Sequence, residues 1–536
     1  MSPSRRSSLK TSGSVVAGLA LGSRSISRAD YDLILRGGTI FDGTGAAAIE
    51  GDVAIRQGRI AAIAARVTGT AREEIDVRGR AVAPGFVDIH SHGDGSLEED
   101  PRAESLIRQG ITTIIAGQDG GSRATGAPEK TFTDLFNGFD RIAPSVNVAS
   151  MVGLGTIRGV VIGDADRPAK PSEITRMAGM VEQALAQGAC GASSGLEYTP
   201  GAFASRDELI AVCRPLRARG LVYSTHMRNE DDRLLDAIEE SIAVAQGAGC
   251  GLQISHLKTQ GPRNWNRLDR AFELIEGARA QGMDIAFDRY PYVAYSTGLT
   301  NLFPVWSRDG GTDAFLGRLG EPSTGSRIRQ ETLAKVELIG GWDNVMVTSV
   351  NSDEDRQAEG KRLGSYAASR NADPYELSVE LLQRNRGGIG MVGFAMSEDN
   401  LERILAHPLG MVCTDGGSFA VDGPARRGNP HPRGLGTYPR VLGRYVRERK
   451  ALTLEDAIRK MSHAPASRAR LKDRGRLAKD LAADIVVFNP ATVMDRATFE
   501  QPFQYPVGIS LVLVNGTVAL RDDARVGNGN GRALRV

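Results

Sequence analysis

Cysteine is scarce. The chain carries only four, Cys190, Cys213, Cys250 and Cys413, and no two of them form a C-x-x-C pair. That excludes a disulfide framework and a zinc ribbon, and leaves the four as small buried apolar side chains. An excess of one charge is also missing. The net charge is +2, so no nucleic acid or acidic surface is implied as a partner. Beyond the extreme N-terminus no apolar run is long enough to span a bilayer. Aromatic residues make up 5 %, and there is no internal repeat or long low-complexity segment. Histidine is rare as well, with seven in the chain, so where each one falls is informative.

What is present is an ordinary charged and apolar balance with abundant glycine, spread over 536 residues. This suits a loop-rich α/β protein with a large core and more than one domain. Residues 1–29 read as a secretory signal: Ser4-Arg-Arg-Ser-Ser-Leu-Lys10, the short apolar run Val15-Val-Ala-Gly-Leu-Ala-Leu21, then a small residue at Ala29. The pair Arg5–Arg6 points to the twin-arginine route, with Ser8 departing from its usual apolar position. The mature protein is therefore expected in the periplasm or secreted.

Residues 30–84 show strand and turn patterns, including a Gln57-Gly58 hairpin signal. The same texture returns over 466–536, and the two ends are expected to form one small β-sandwich domain. Between them, 85–465 alternates short apolar strands with helical stretches, the order of parallel β/α units. Strands are expected at 85–90, 111–116, 146–151, 191–194, 221–225, 251–255, 285–288 and 410–413, with helices such as 171–187 and 206–218. Eight such units predict a TIM (β/α)8 barrel with its active site at the C-terminal strand ends. Residues 299–350 interrupt the alternation and read as a small inserted domain.

At those strand ends lie the residues that carry chemistry. Phe86-Val-Asp-Ile-His-Ser-His92 ends the first strand with two histidines at i and i+2, which point the same way in extended chain. His226 follows the fifth strand, His256 the sixth and Asp415 the eighth. Four of seven histidines at one rim, with an aspartate, point to Zn²⁺ or a similar divalent ion. A site of that kind activates water and polarises a carbonyl, and Asp415 can serve as general base and then acid. The expected reaction is hydrolysis of an amide or related C–N bond. His407 and His463 read as structural.

The Pro-Gly-Phe-Val-Asp-x-His-x-His segment, the split β domain and the order His, His, Asp resemble the amidohydrolase superfamily. Within it, Ser194-Gly-Leu-Glu-Tyr-Thr-Pro-Gly-Ala202, Thr225-His-Met-Arg-Asn-Glu230, Ile254-Ser-His-Leu-Lys258, Tyr290-Pro-Tyr292 and His431-Pro-Arg-Gly-Leu-Gly-Thr-Tyr438 resemble the N-acyl-D-amino-acid deacylase branch. The resemblance runs from Tyr31 to the C-terminus. It implies one or two zinc ions, a barrel with an inserted domain, and cleavage of N-acyl-D-amino acids to a carboxylate and a free D-amino acid. By resemblance Tyr198, Lys258, Tyr290 and Arg433 bind the substrate carboxylate. Lys258 and Arg433 equally suit structural ion pairs, and the tyrosines equally suit core packing. His431 is expected to be a structural partner in the Arg433 loop.

Two departures from the branch stand out. Where it places a cysteine that holds the tight zinc, this chain has Asp119, a harder ligand. Asp119, His226 and His256 are expected to form the main metal site, with His90, His92 and Asp415 lining a second site or the catalytic face. The stretch 415–433, rich in glycine and carrying Arg426 and Arg427, looks longer than in the branch and is expected to reshape the substrate pocket. Other readings stay open: a cyclic amidase or imidase, a dipeptidase for D-residues, and a non-catalytic metal-binding homologue. The preferred side chain and the oligomeric state are left open.

Overall fold

The computed structural model describes residues 29–126, 129–527 and 529–536. The signal-peptide expectation thus lies almost wholly outside the described residues. Among the described residues, no helix is long and apolar enough to cross a membrane.

Both ends of the chain build one hydrogen-bonded sheet of nine strands. Ala81–Pro84 from the N-terminal part and Ile485–Phe488 from the C-terminal part pair antiparallel at its centre, in the register Ile485 to Pro84 and Phe488 to Ala81. Tyr31–Ile40 is the branching strand. It pairs with Ile49–Arg56 on one edge, and on the other first with Ala71–Asp76 and then with Ala81–Pro84, with a register shift between Leu35 and Gly38. The inward residues Leu33, Leu35, Val53, Ile55, Ile485, Val487, Leu511 and Leu513 form a separate apolar cluster. The alternating residues Ile34, Ala54, Val486 and Val512 are buried too, in other apolar clusters, which is the two-residue period of a sheet covered on both faces.

The middle of the chain is α/β. Phe86–Asp88, Ile111–Ala116 and Asn147–Ser150 form one parallel sheet. Val152–Gly153, Gly191–Gly195, Val222–His226, Gly251–Ile254, Ile285–Arg289 and Gly410–Val412 form a second. The two meet at Met151, because Asn147–Ser150 faces one sheet and Val152–Gly153 the other. On the opposite side the Asp415 amide donates to His90 O and the His92 amide to Gly416 O, each at 2.9 Å. The strands read almost entirely buried, as parallel strands covered on both faces do. Helices lie between them, among them Pro171–Ala186 and Leu234–Ala248. The helix expected over 206–218 is two, Arg206–Cys213 and Pro215–Arg219, because Pro215 cannot supply the N–H a continuous helix needs.

The inserted region is larger than the 299–350 read from the sequence. Its three-stranded antiparallel sheet is made of Ala294–Gly298, Val345–Ser349 and Gly390–Phe394, so it reaches 44 residues beyond Val350. Gly311–Leu319 and Pro322–Leu338 pack with it. The local alternation of strand and helix resumes after 350, which hid the continuation. The C-terminal tail returns to the α/β part, where Val148 N–H donates to Arg532 O (3.0 Å) and Leu534 N–H to Val148 O (2.8 Å).

Candidate metal centre and active site

Each chemical side chain arrives from the C-terminal end of a parallel strand. Along Phe86–Asp88 and beyond, Asp88, His90 and His92 alternate, two residues apart. The turn after Ile111–Ala116 is Gly117-Gln-Asp-Gly-Gly121, which lets Asp119 fold back over the strand ends. Gly120 adopts φ +77°, and a Cβ on Gly195 would come within 2.1 Å of Asp119 O, so close approach here demands glycine. Asp119, His256 and Asp415 themselves have φ of 52°, 34° and 48°. Non-glycine residues rarely hold that left-handed conformation, and where a fold imposes it the residue is often functional.

These residues converge. His90 Nε2 lies 3.3 Å from Asp119 Oδ2 and 3.5 Å from Asp415 Oδ1. His92 Nε2 lies 3.3 Å from Asp119 Oδ2 and 3.1 Å from Asp415 Oδ1. His256 Nε2 lies 3.7 Å from Asp119 Oδ1 and 3.1 Å from His226 Nδ1. Two groups share Asp119, His90–His92–Asp119–Asp415 and Asp119–His226–His256, and a third, Glu197–His226–Glu230, adjoins them, each with ligand atoms within 4.8 Å of one another. Asp119 turns one oxygen toward each of the first two. The sequence reading placed Asp119 with His226 and His256; its Oδ2 also faces His90 and His92.

Imidazoles and carboxylates fit a divalent cation here on a test internal to the structure. His90 Nδ1 and Nε2, Asp119 Oδ1 and His226 Nε2 are buried without a hydrogen-bond partner. Buried polar atoms are seldom left in that state unless a ligand completes them. The field agrees. Burial opposes charge on His90, yet Asp119 and Asp415 raise its pKa well above the usual imidazole value. The same balance lifts His92 to about 9. Burial likewise disfavours the Asp119 carboxylate, and His90 and His256 hold it well below the usual range. Carboxylates and imidazoles thus act on one another around a space whose field suits a bound cation.

An outer layer orients the ligands. Glu230 Oε1 faces His256 Nδ1 at 3.1 Å, and Oε2 faces His226 Nε2 at 3.8 Å. Glu197 Oε2 approaches His226 Nε2 at 3.4 Å. Asp288 Oδ1 accepts the His256 amide at 2.8 Å and lies 3.6 Å from His90 Nδ1. Asp88 accepts from the Thr414 amide and hydroxyl at 2.9 and 2.5 Å and so anchors the turn carrying Asp415. Carboxylates behind metal-binding imidazoles fix the tautomer and aim the ring. Glu197, Glu230, Asp88 and Asp288 were not among the residues read from the sequence. The signals were there: Asp88 shares the face of His90 and His92, and Glu230 stands four residues after His226.

The expected carboxylate-binding residues divide. Arg433 is buried, pairs with Asp415 Oδ2 at 2.6 Å and lies over the Tyr290 ring at 4.6 Å. Tyr290 leaves its hydroxyl without a partner. Tyr198 OH stands 3.4 Å from His226 Nδ1. Lys258 is spoken for: its Nζ donates to Glu230 Oε1 at 2.6 Å and sits 2.6 Å from His256 Nδ1. All four line one cavity of about 460 Å³ that also exposes His92, Asp119, His226, His256 and Asp415. His431 props the loop, with Nδ1 accepting the Arg433 amide and Nε2 3.0 Å from Ala294 O. His407 and His463 lie outside the cavity, bound to Glu276 and Ser467. Cys190, Cys213 and Cys413 are buried and none of the four cysteines is bridged.

A concave site with imidazoles and carboxylates around an open space is the arrangement of a metal-dependent hydrolase. Residues 417–520 match the amidohydrolase family. The chain is 35 % identical over 521 residues to the D-aminoacylase of Alcaligenes xylosoxydans xylosoxydans, covering 94 % of this chain and 97 % of that protein. It is 36 % identical over 520 residues to the N-acyl-D-glutamate deacylase of the same organism, covering 94 % and 96 %. The crystal structure of N-acyl-D-glutamate deacylase from Bordetella bronchiseptica, complexed with zinc and a phosphonate mimic of the tetrahedral intermediate, superposes with a TM-score of 0.80 at 34 % identity, covering 94 % of this chain and all of that one. The chain belongs to the D-aminoacylase, or N-acyl-D-amino-acid deacylase, family of amidohydrolases.

Proposed function

We propose that this chain is a zinc-dependent hydrolase that cleaves the amide bond of N-acyl-D-amino acids, releasing a carboxylate and a free D-amino acid. The observation that carries it is the meeting of His90, His92, Asp119, His226, His256 and Asp415 at one cavity wall, with buried ligand atoms left unpartnered. The identity to deacylases along nearly the whole chain supports the substrate class.

His90, His92 and Asp415 would hold one zinc position and His226 and His256 a second, with Asp119 shared between them. Zinc, when bound, brings the pKa of water toward neutrality and polarises a carbonyl oxygen. Glu230 and Lys258 flank Nδ1 of His256, and Glu197 and Glu230 stand beside Nε2 of His226, aiming the two rings at Asp119. Asp415 accepts a proton from the attacking water on a carboxylate oxygen and returns it to the leaving nitrogen. Arg433 and Tyr290 grip the α-carboxylate of the leaving amino acid, since a guanidinium matches a carboxylate with two hydrogen bonds. One of those donors now rests on Asp415, so taking up the carboxylate and freeing Asp415 are the same movement.

We also read the two parallel sheets, joined at Met151 and tied between Asp415 and His90, as one closed (β/α)8 barrel over 85–465. The forked terminal sheet of 30–84 and 466–536 then folds as a sandwich beside it. Export through a twin-arginine signal in residues 1–29 completes the reading. The deciding experiment is a screen of N-acetyl-D- and N-acetyl-L-amino acids with zinc quantified on the same sample. Turnover confined to the D-series, in step with zinc content, is expected. Turnover of hydantoin rings instead would favour the cyclic amidase reading.

A further inference from the structure

A pocket of about 250 Å³ lies at the other end of the parallel strands from the metal centre. It sits where Ile285–Arg289 and Gly410–Val412 begin, and segments far apart in the chain build its walls. Arg279 comes from the end of the helix Leu268–Ala280, and Arg459 from the helix Leu454–Met461. Arg468 closes the short helix His463–Arg468, and Arg470 follows it. Four guanidiniums thus line one pocket, and Asp284 is the one carboxylate among its lining residues.

The fold places these guanidiniums and leaves binding capacity over. Arg468 is buried and fully engaged: Nε donates to Gln253 Oε1 at 3.1 Å, Nη1 to Asp284 Oδ1 at 2.6 Å, and Nη2 to Leu252 O. Asp284 is thereby largely taken, since Arg279 comes no nearer to it than 3.8 Å. Arg470 is exposed and donates from Nε and Nη2 to Gly220 O at 2.9 and 2.7 Å, which fixes the plane of its fork. Among the described residues no carboxylate pairs with it. Arg459 rests Nε and Nη2 on Asp456 Oδ1 at 3.1 and 2.7 Å, a carboxylate that Lys460 also approaches at 3.7 Å. Nη1 of Arg459 and Nη1 of Arg470 donate to nothing among the described residues.

The local field is positive. Burial first, then Arg470 and Arg279, hold the Arg468 guanidinium below its ordinary value against the pull of Asp284. His463, at the head of the same short helix, is lowered by burial first and then by Arg476 and Arg459. Like charges gathered so closely repel one another until an anion joins them. A guanidinium fork matches the oxygens of phosphate or sulfate with two hydrogen bonds.

We infer that this pocket binds a compact tetrahedral oxyanion of the phosphate class, held by Arg279, Arg459 and Arg470 over the fixed charge of Arg468. At about 3.3 Å per residue, the strand Ile285–Arg289 alone sets it roughly 13 Å behind the metal centre. Its occupant therefore takes no part in hydrolysis, and the site stands apart from the hydrolase reading. What it changes is stability. The pocket joins the starts of two parallel strands to the two helices that precede the C-terminal strands. An anion bound by the folded chain alone stabilises that junction by mass action.

The test titrates the whole zinc-loaded protein with inorganic phosphate by calorimetry, at constant ionic strength set with chloride because exposed charges are screened. The same titration is run on the double variant Arg459→Gln, Arg470→Gln. Wild type should bind phosphate in the millimolar range or tighter, and the double variant about tenfold or more weakly, with kcat unchanged. Phosphate that enters the metal cavity competes with substrate and is equal in both proteins, so the difference between them reports this pocket. The double variant Arg459→Lys, Arg470→Lys keeps the charge without the fork and should recover part of the affinity. Arg279→Gln, on an exposed side chain, should weaken binding by itself, which guards against a double variant that fails to fold. Saturating phosphate should raise the wild-type thermal midpoint by about 1–3 °C and leave that of the glutamine double variant in place. Sulfate should act like phosphate, and glycerol 3-phosphate acting as well as both would mark a phosphate ester as an equal source of the anion. Equal phosphate affinity in wild type and all three variants overturns the inference. So does a midpoint that climbs without saturating and alike in every protein, which is the general effect of an excluded salt.

Discussion

Leu511 and Leu513 in the terminal sheet and His90 and His226 at the C-terminal ends of the parallel strands are buried to nearly the same extent. The leucines sit in an apolar cluster, and the backbone is paired along Ile485–Phe488 and Thr517–Arg521. Around the histidines, ring nitrogens and a carboxylate oxygen are left without partners. The apolar cluster of the sheet needs nothing further, whereas at the strand ends several unpartnered polar atoms face one another around a common space. Burial alone therefore says little about a residue's task; the balance of satisfied and unsatisfied polar atoms says more.

The comparison can be broken at several points. Asp415→Asn should cost the largest amount, roughly a thousandfold in kcat, with the fold intact by circular dichroism; turnover near the wild-type level would remove Asp415 from its proton-transfer role. Asp119→Ala should strip zinc from both positions, since one carboxylate faces both groups, and metal analysis of purified protein checks it. Retention of a full metal complement would end the sharing argument, and Asp119→Cys should keep metal bound. Glu230→Gln leaves every ligand in place and should weaken zinc binding by about 10–100-fold, seen in a competitive chelator titration. Leu513→Ala reverses the pattern: a loss of about 3 kcal/mol in unfolding free energy with kcat per folded molecule unchanged.

The smallest effect is a pH dependence far from the rim. Glu173, at the start of Pro171–Ala186, is held at about 2 against an ordinary 4.5 by Arg167 first and by the Lys170 amide next. A depressed carboxyl stabilises the fold above its unfolded value and loses that contribution as pH falls through its folded one. Wild type should therefore outlast Glu173→Gln above pH 4.5, and the difference should vanish by pH 2. Acid unfolding followed by circular dichroism measures it. A gap that widens toward pH 2 would contradict the assignment.

The strand ends were legible because parallel strands write themselves as short apolar runs and because histidine is rare enough here to be counted. His90, His92, His226, His256 and Asp415 were picked out in that way, and they do converge. The supporting carboxylates were harder to read. Asp88, Glu197, Glu230 and Asp288 look like any other acidic residue until the histidine each one faces is known. The antiparallel sheet of Ala294–Gly298, Val345–Ser349 and Gly390–Phe394 extends past the 299–350 read as an insertion, because strand pairing between segments so far apart in the chain leaves no local signal.

Periodicity, glycine placement and the spacing of a few rare side chains were enough to determine the strands, their order and the rim on which chemistry gathers, since these depend on neighbours within a few residues. The sharing of Asp119 between two groups, the pairing of Arg433 with Asp415 and the gathering of four arginines at the opposite strand ends were decided by the tertiary structure. Each brings together atoms from distant parts of the chain, and whether a carboxylate meets an imidazole, a guanidinium or open space is set by distances and burial that no local pattern encodes.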